Sequence, residues 1–279
     1  MTDMVDHPKI SVITPSYNQA KYLEATIRSV LDQGYPNLEY IIIDGGSIDG
    51  SVEIIKRYSS QLAYWVSEPD RGQSHAINKG LQIATGEWVG WQNSDDIFYP
   101  GSFELLVQTA SRSSLYDLII GDINLIEADS SVIRDMRYVR PTYNALLAEG
   151  MVLTNQAAFW QRALHERLGW LDESLHYGFD FEWFLRVLAH TDKSKHIPSV
   201  MGALRYHDET KTSQHQQRFL DEYGNILAGR EMQVWKKRLY RLRRLILTLA
   251  DGRFSYVFRG AYQRISDSFF TRRIAEKSE

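Results

Sequence analysis

Two adjacent carboxylates, Asp95 and Asp96, end the segment Gly90-Trp91-Gln92-Asn93-Ser94-Asp95-Asp96 and are the pair in this chain best suited to chemistry. Side chains alternate faces along a strand, so neighbouring acids that act together belong on a turn just past a strand end. There one carboxylate reaches a ligand hydroxyl and the other a divalent ion, since hard cations prefer carboxylate oxygens. The plain alternative is a solvated turn or a helix cap. Other candidates carry plain alternatives of their own. Asp44 heads an Asp-Gly-Gly turn, and Arg71 sits between Asp70 and Gly72, where a surface pair with Asp70 or Glu68 competes with phosphate binding. Tyr17 is suited to stacking on a base or to packing, Asp180 to proton transfer or to capping a helix, and His207 to binding a metal or phosphate or to the surface.

The elements that must position these groups follow from periodicity. Lys9–Thr14, Tyr40–Ile43, Leu62–Val66 and Trp88–Trp91 are short apolar runs that read as buried strands. Between them, Leu23/Ile27/Val30/Leu31, Val52/Ile55/Tyr58 and Ile77/Leu81/Ala84 recur at helical spacing. Such alternation with short connections predicts a parallel sheet with helices on both faces. Ligands of these sheets bind at the carboxyl ends of the strands. Tyr17, Asp44, Arg71 and Asp95/Asp96 all fall there and should converge on one crevice. Further along, Leu118–Ile123, Asn155–Trp160 and Met201–Tyr206 read as strands, and Ser131–Tyr138 as a hairpin partner. Phe181, Phe184, Leu185 and Leu188 form a helical stripe that places Asp180 near a helix start.

The 279 residues carry no cysteine, which excludes disulfides, thiolate metal sites and a cysteine nucleophile. Gly45 and Gly50 have phosphate-loop spacing, but Ser51 stands where that loop needs lysine, and the dinucleotide pattern of three glycines is missing too. What remains is an acid at a strand end, beside glycines that let a ligand approach the backbone. Met1 to Lys9 lacks the apolar core of a secretory signal, so the expected location is cytoplasmic. No apolar run approaches the roughly 20 residues of a membrane-spanning helix.

Taken in order, Pro15-Ser16-Tyr17-Asn18, Asp44-Gly45-Gly46-Ser47-Ile48-Asp49-Gly50-Ser51, Ser67-Glu68-Pro69-Asp70-Arg71-Gly72-Gln73, Asn78-Lys79-Gly80, Ala84-Thr85-Gly86-Glu87 and Asn93-Ser94-Asp95-Asp96 resemble the family 2 inverting glycosyltransferases of the GT-A fold. The likeness runs from about Lys9 to Ser213 and implies a Rossmann-like, mostly parallel sheet. It divides the chain into a nucleotide-sugar-binding half (1–114), an acceptor-binding half (115–213) and a helical basic tail (214–279). It implies transfer of a sugar from a nucleotide diphosphate donor, commonly UDP-linked, with Mn²⁺ or Mg²⁺ at the acidic motif. The acceptor class it implies is a glycan or a lipid-linked precursor. By position, Tyr17, Asp44 and Arg71 would hold the nucleotide, with Thr14, Pro15 and Ser47 lining its pocket. Asp95 would face the ribose or sugar, Asp96 and His207 the metal, and Lys211 a phosphate. Asp180 matches the catalytic base, with Glu182 as competitor because the motif here reads Asp-Phe-Glu. The alternatives are a sugar-nucleotide nucleotidyltransferase, which should carry a Gly-rich Arg/Lys loop after its first strand, and a non-catalytic sugar-nucleotide-binding protein.

From Trp235 to Glu279 there are 12 Lys or Arg against 4 Asp or Glu, a basic appendage on an acidic body. Trp235, Leu239, Leu242, Leu245, Ile246 and Leu249 share one helical face, with Lys236, Lys237, Arg238, Arg241, Arg243 and Arg244 around it. This pattern fits a helix lying on an anionic membrane surface, peripheral on the inner face, or one packed on the catalytic body. Arg-rich helices also bind nucleic acid, but no nucleic-acid partner is expected.

Overall fold

The computed structural model describes residues 7–111, 115–207 and 216–258, and the chain divides into two compact units, Met1–Glu231 and Met232–Glu279. The first unit opens with the expected alternation: β1 (Ile10–Ser16), α1 (Ala20–Leu31), β2 (Leu38–Asp44), α2 (Ser51–Tyr58), β3 (Tyr64–Ser67), α3 (Gln73–Ile83) and β4 (Trp88–Trp91). All four strands are parallel, in the order β3-β2-β1-β4, and β1 is central because Ile10, Val12 and Ile13 are completely buried. That burial on both faces is why the strand reads as a continuous apolar run without alternation. Pro15 does not stop β1: the strand continues through Ser16, level with Asp44 on β2.

The second half departs from a parallel sheet. It runs β5 (Ile97–Phe98), α4 (Ser102–Ser111), β6 (Leu118–Ile126), β7 (Val132–Met136), α5 (Tyr143–Glu149), β8 (Ala158–Gln161), α6 (Leu164–Leu168), α7 (Phe179–His190), β9 (Ser194–Arg205) and α8 (Gln216–Leu227). β8 lies antiparallel between β4 and β6, β9 is parallel to β6, and β5 and β7 pair antiparallel with β9 and β6. The sheet is therefore mixed, and β9 starts earlier than its apolar end, Met201–Tyr206, foretells. Residues Asn155–Ala157 form a 3-10 turn rather than the start of a strand.

Aromatic side chains brace the end of β4. Trp91 meets Trp160 edge-on at 5.2 Å between ring centroids and stacks with Phe184 of α7 at 6.1 Å. Behind the acidic turn, Gly202 of β9 runs so close to the 3-10 turn that a Cβ on it would stand 2.1 Å from the Gln156 carbonyl oxygen. The second unit is built on α9 (Val234–Ala250), along which Trp235 (57% exposed), Leu239, Leu242, Leu245 and Ile246 all lie open. No helix of the described residues is long and apolar enough to cross a membrane.

Candidate active site

The polar clusters at the ends of β1, β2 and β4 do come together, linked contact by contact. The Asp44 carboxylate, fully buried, accepts from the Gly46 and Ser47 N–H groups and from the hydroxyls of Ser47 and Ser67, at 2.5–3.1 Å. Ser47 Oγ in turn accepts from the Asn18 N–H at 2.8 Å, tying this loop to the one after β1. A Cβ on Gly45 would stand 2.5 Å from Asp70 Oδ2 and 3.3 Å from the Tyr17 ring, so glycine is needed where these three loops meet. Tyr17 itself is 61% exposed on the rim. Gln73, at the start of α3, donates to Asn93 Oδ1 at 2.8 Å and carries the chain of contacts to the acidic turn.

The two acids of that turn occupy different worlds. Asp96 is completely buried: its Oδ1 accepts from the Arg205 N–H at 2.8 Å, and its Oδ2 from Asn93 Nδ2 at 2.9 Å and Gln156 Nε2 at 2.7 Å. Burial, then the charge of Asp95, raises its carboxyl well above the usual range. Asp95 points away, and His207 Nε2 stands 3.1 Å from its Oδ2. The expectation that Asp96 faces an ion is thus corrected, since both its oxygens are engaged beneath the site, and the carboxylate beside His207 is that of Asp95.

Arg205, which sequence reasoning missed, fastens this arrangement. Its Nε donates to the Asp95 carbonyl at 2.8 Å, its Nη1 to the carbonyls of Glu127 and Ala128 and to Ser130 Oγ, and its guanidinium lies 5.1 Å from the centre of the Tyr22 ring. Tyr22 also packs against His207, with ring centroids 4.6 Å apart. Only its place at the end of an apolar strand hinted at this role, and a strand-end arginine is ordinarily solvated.

Other expectations shift in detail. Thr14 and Pro15 lie inside β1, with Thr14 Oγ1 3.0 Å from the Tyr40 hydroxyl, and are buried rather than lining a pocket. Arg71 Nη2 meets Glu173 Oε2 at 2.5 Å, which joins the loop after β3 to the segment leading into α7. Asp180 sits half-buried in the first turn of α7, its Oδ1 accepting the Phe181 N–H at 2.7 Å, and burial pushes its carboxyl up to about 6. Glu182 makes a two-pronged bond to Arg186 at 2.7 Å, and Arg186 also donates to the carbonyls of Leu168 and Trp170. A carboxylate locked this way serves the helix and is poorly placed to take a proton, which corrects its listing as competitor base. Lys211 lies outside the described residues.

Among the described residues, no three acidic or histidine side chains gather as a complete metal cage. The Asp95 carboxylate and the His207 imidazole nonetheless fit a small divalent ion that takes its other ligands from water and phosphates, the habit of Mg²⁺ and similar ions.

Residues 11–169 match the family model described as Glycosyl transferase family 2. The chain belongs to glycosyl transferase family 2. An uncharacterized glycosyltransferase of Rickettsia typhi is 28% identical over 248 residues, covering 83% of this chain and 74% of that protein. The putative teichuronic acid biosynthesis glycosyltransferase TuaG of Bacillus subtilis is 42% identical over 92 residues, covering 32% of this chain and 36% of TuaG. Among solved structures, S. aureus TarS residues 1–349 in complex with UDP-GlcNAc superposes with a TM-score of 0.67 at 16% identity, over 87% of this chain and 73% of that one. The mannosyltransferase PcManGT of Pyrobaculum calidifontis, in complex with GDP-Man and Mn²⁺, gives 0.61 at 19% identity over 93% and 81%. This family 2 chain therefore has the GT-A glycosyltransferase fold, and the mixed second half of its sheet is part of that architecture.

Proposed function

We propose that this glycosyltransferase moves a sugar from a nucleoside diphosphate donor, UDP-linked, onto a hydroxyl of a glycan or lipid-linked acceptor, with inversion at the anomeric carbon. The observation that carries the reading is the division of labour at the end of β4, where Asp96 is buried as a prop and Asp95 is presented beside His207. The complexes of TarS with UDP-GlcNAc and of PcManGT with GDP-Man and Mn²⁺ support a nucleotide-sugar donor, and the name of TuaG supports a polysaccharide acceptor.

In this reading Tyr17 stacks on the base at the rim, while the loops shaped by Asp44 and Ser47 receive the nucleoside. Arg71, released from Glu173, turns to phosphate, a geometry its guanidinium suits. Asp95 and His207 hold Mn²⁺ or Mg²⁺, which when bound neutralises charge growing on the leaving diphosphate. Asp180 accepts the proton of the acceptor hydroxyl as that oxygen attacks the anomeric carbon from the face opposite the diphosphate; the bond to the leaving oxygen breaks in the same displacement, inverting the centre. A carboxyl near 6 is a stronger base than an ordinary aspartate and is still ionised at neutral pH. Residues 1–114 then serve the donor and 115–213 the acceptor, while α9 lays its apolar stripe on an anionic membrane surface where a lipid-linked acceptor would be met.

The test is a thermal-shift screen of UDP-, GDP- and dTDP-sugars with and without Mn²⁺. A donor at about 100 times its dissociation constant adds roughly 2.7 kcal/mol of stability. A metal-dependent shift with a UDP-sugar is the expected result, and no shift with any donor overturns the reading.

A further inference from the structure

Helix α8 closes over the start of α7 through one carboxylate. Glu222 accepts three successive backbone N–H groups, from His176 on Oε1 at 2.9 Å and from Tyr177 and Gly178 on Oε2 at 2.8 and 2.9 Å. The next residue, Tyr223, stacks on Phe181 with ring centroids 4.0 Å apart and interacts electrostatically with Asp180. One turn further on, Ile226 packs so tightly on Gly178 that a Cβ there would stand 2.7 Å from its Cδ1. Every contact falls within a few residues of Asp180, and no family motif quoted above includes α8.

Three charge-assisted hydrogen bonds to one carboxylate make a strong clamp. We propose that Glu222 is a positioning residue for Asp180: by gripping residues 176–178 it fixes where that carboxyl group sits and how little water reaches it. The inference rests on the reading of Asp180 as the base. The physics has two parts of the same sign. A helix N-terminus favours a carboxylate in its first turn, and Glu222, placed on the N–H groups just upstream, adds a negative charge that opposes this. Tyr223 and Ile226 keep out the solvent that would otherwise stabilise the ionised form. The remaining titratable groups around Asp180 are Tyr177 and His176 before the helix, Glu149 at the end of α5, and Glu182, which is paired with Arg186.

The experiment uses the full chain with ¹³C-carboxyl aspartate, D180N serving to assign the Asp180 signal. In the wild type that signal should titrate near about 6. E222Q replaces one oxygen of the clamp by an NH₂ group facing N–H donors, and should lower the Asp180 midpoint by at least about half a pH unit. The acid limb of kcat should move with it and kcat should fall about tenfold or more, while the thermal shift produced by UDP stays as in the wild type. E222D, with the charge retained on a shorter arm, should fall between the two and guards against a misfolded E222Q. In the D180N background, E222Q should add no further loss. An unmoved Asp180 titration in both Glu222 variants, or losses that multiply in the double variant, overturns the proposal. If D180N itself retains transfer, the base assignment fails instead, and the NMR titration still reports whether Glu222 governs that carboxyl.

Discussion

At the scale of single residues, adjacent acids with identical chemistry are separated by their surroundings. Asp96→Asn should behave as a stability variant: an amide NH₂ would face the donors of Arg205 or Gln156, for a loss of about 1–3 kcal/mol read by urea denaturation. Asp95→Asn should unfold like the wild type and lose the Mn²⁺-dependent part of donor binding in calorimetry. Asp180→Asn should cut kcat by about 10²- to 10⁴-fold with donor affinity nearly unchanged. Because the group is a base, wild-type activity is present above about 6 and lost as pH falls through that value. Its effect on stability has the opposite sign. An acid whose folded pKa lies above its unfolded value stabilises below the unfolded value, and that contribution is gone once pH rises through the folded one. At pH 7 the buried charge therefore weighs against folding, and Asp180→Asn should raise Tm, by on the order of 1–3 kcal/mol in stability. The order of the acidic pair was not legible in the sequence, because what buries Asp96 is supplied by Gln156 and Arg205, far along the chain.

Among elements, the parallel half was legible because each strand of β1 to β4 is buried on both faces and each connection is short. The mixed half was not. β8 and the first part of β9 are too short or too polar to show a period, and their direction is set by pairing with β4 and β6 rather than by their own residues. Asp180's place at the start of α7 followed from the Phe181/Phe184/Leu185/Leu188 stripe, whereas the covering α8 left no motif to read. Close approach of β9 to the 155–157 turn makes Gly202→Ala a sharp probe of this half. With backbone 2.1 Å from the new Cβ, relief requires the turn or strand to move, and a loss of about 1–3 kcal/mol with weakened donor binding is expected in paired denaturation and thermal-shift assays.

For the whole molecule, the acidic body and the basic second unit call for separate tests. Reversing Lys236, Lys237, Arg241 and Arg244 to Glu should abolish co-sedimentation with vesicles rich in anionic lipid and leave the UDP thermal shift of the first unit unchanged. Binding by the wild type should weaken as salt is raised, since each basic residue near such a surface contributes about 1 kcal/mol that screening removes. Vesicle binding that survives the reversal would assign the stripe to packing within the protein.

The carboxylate of Asp96 is held by residues 93, 156 and 205, and its carbonyl by the Thr26 hydroxyl at 2.7 Å. These points span most of the first unit, and the last of them closes its final strand. A nascent or refolding chain can thus build the parallel β1–β4 half early, from near neighbours, and still lack a floor for the acidic turn until β9 arrives. Donor binding belongs to the end of the folding reaction, so a partly made enzyme has no means of capturing a nucleotide sugar.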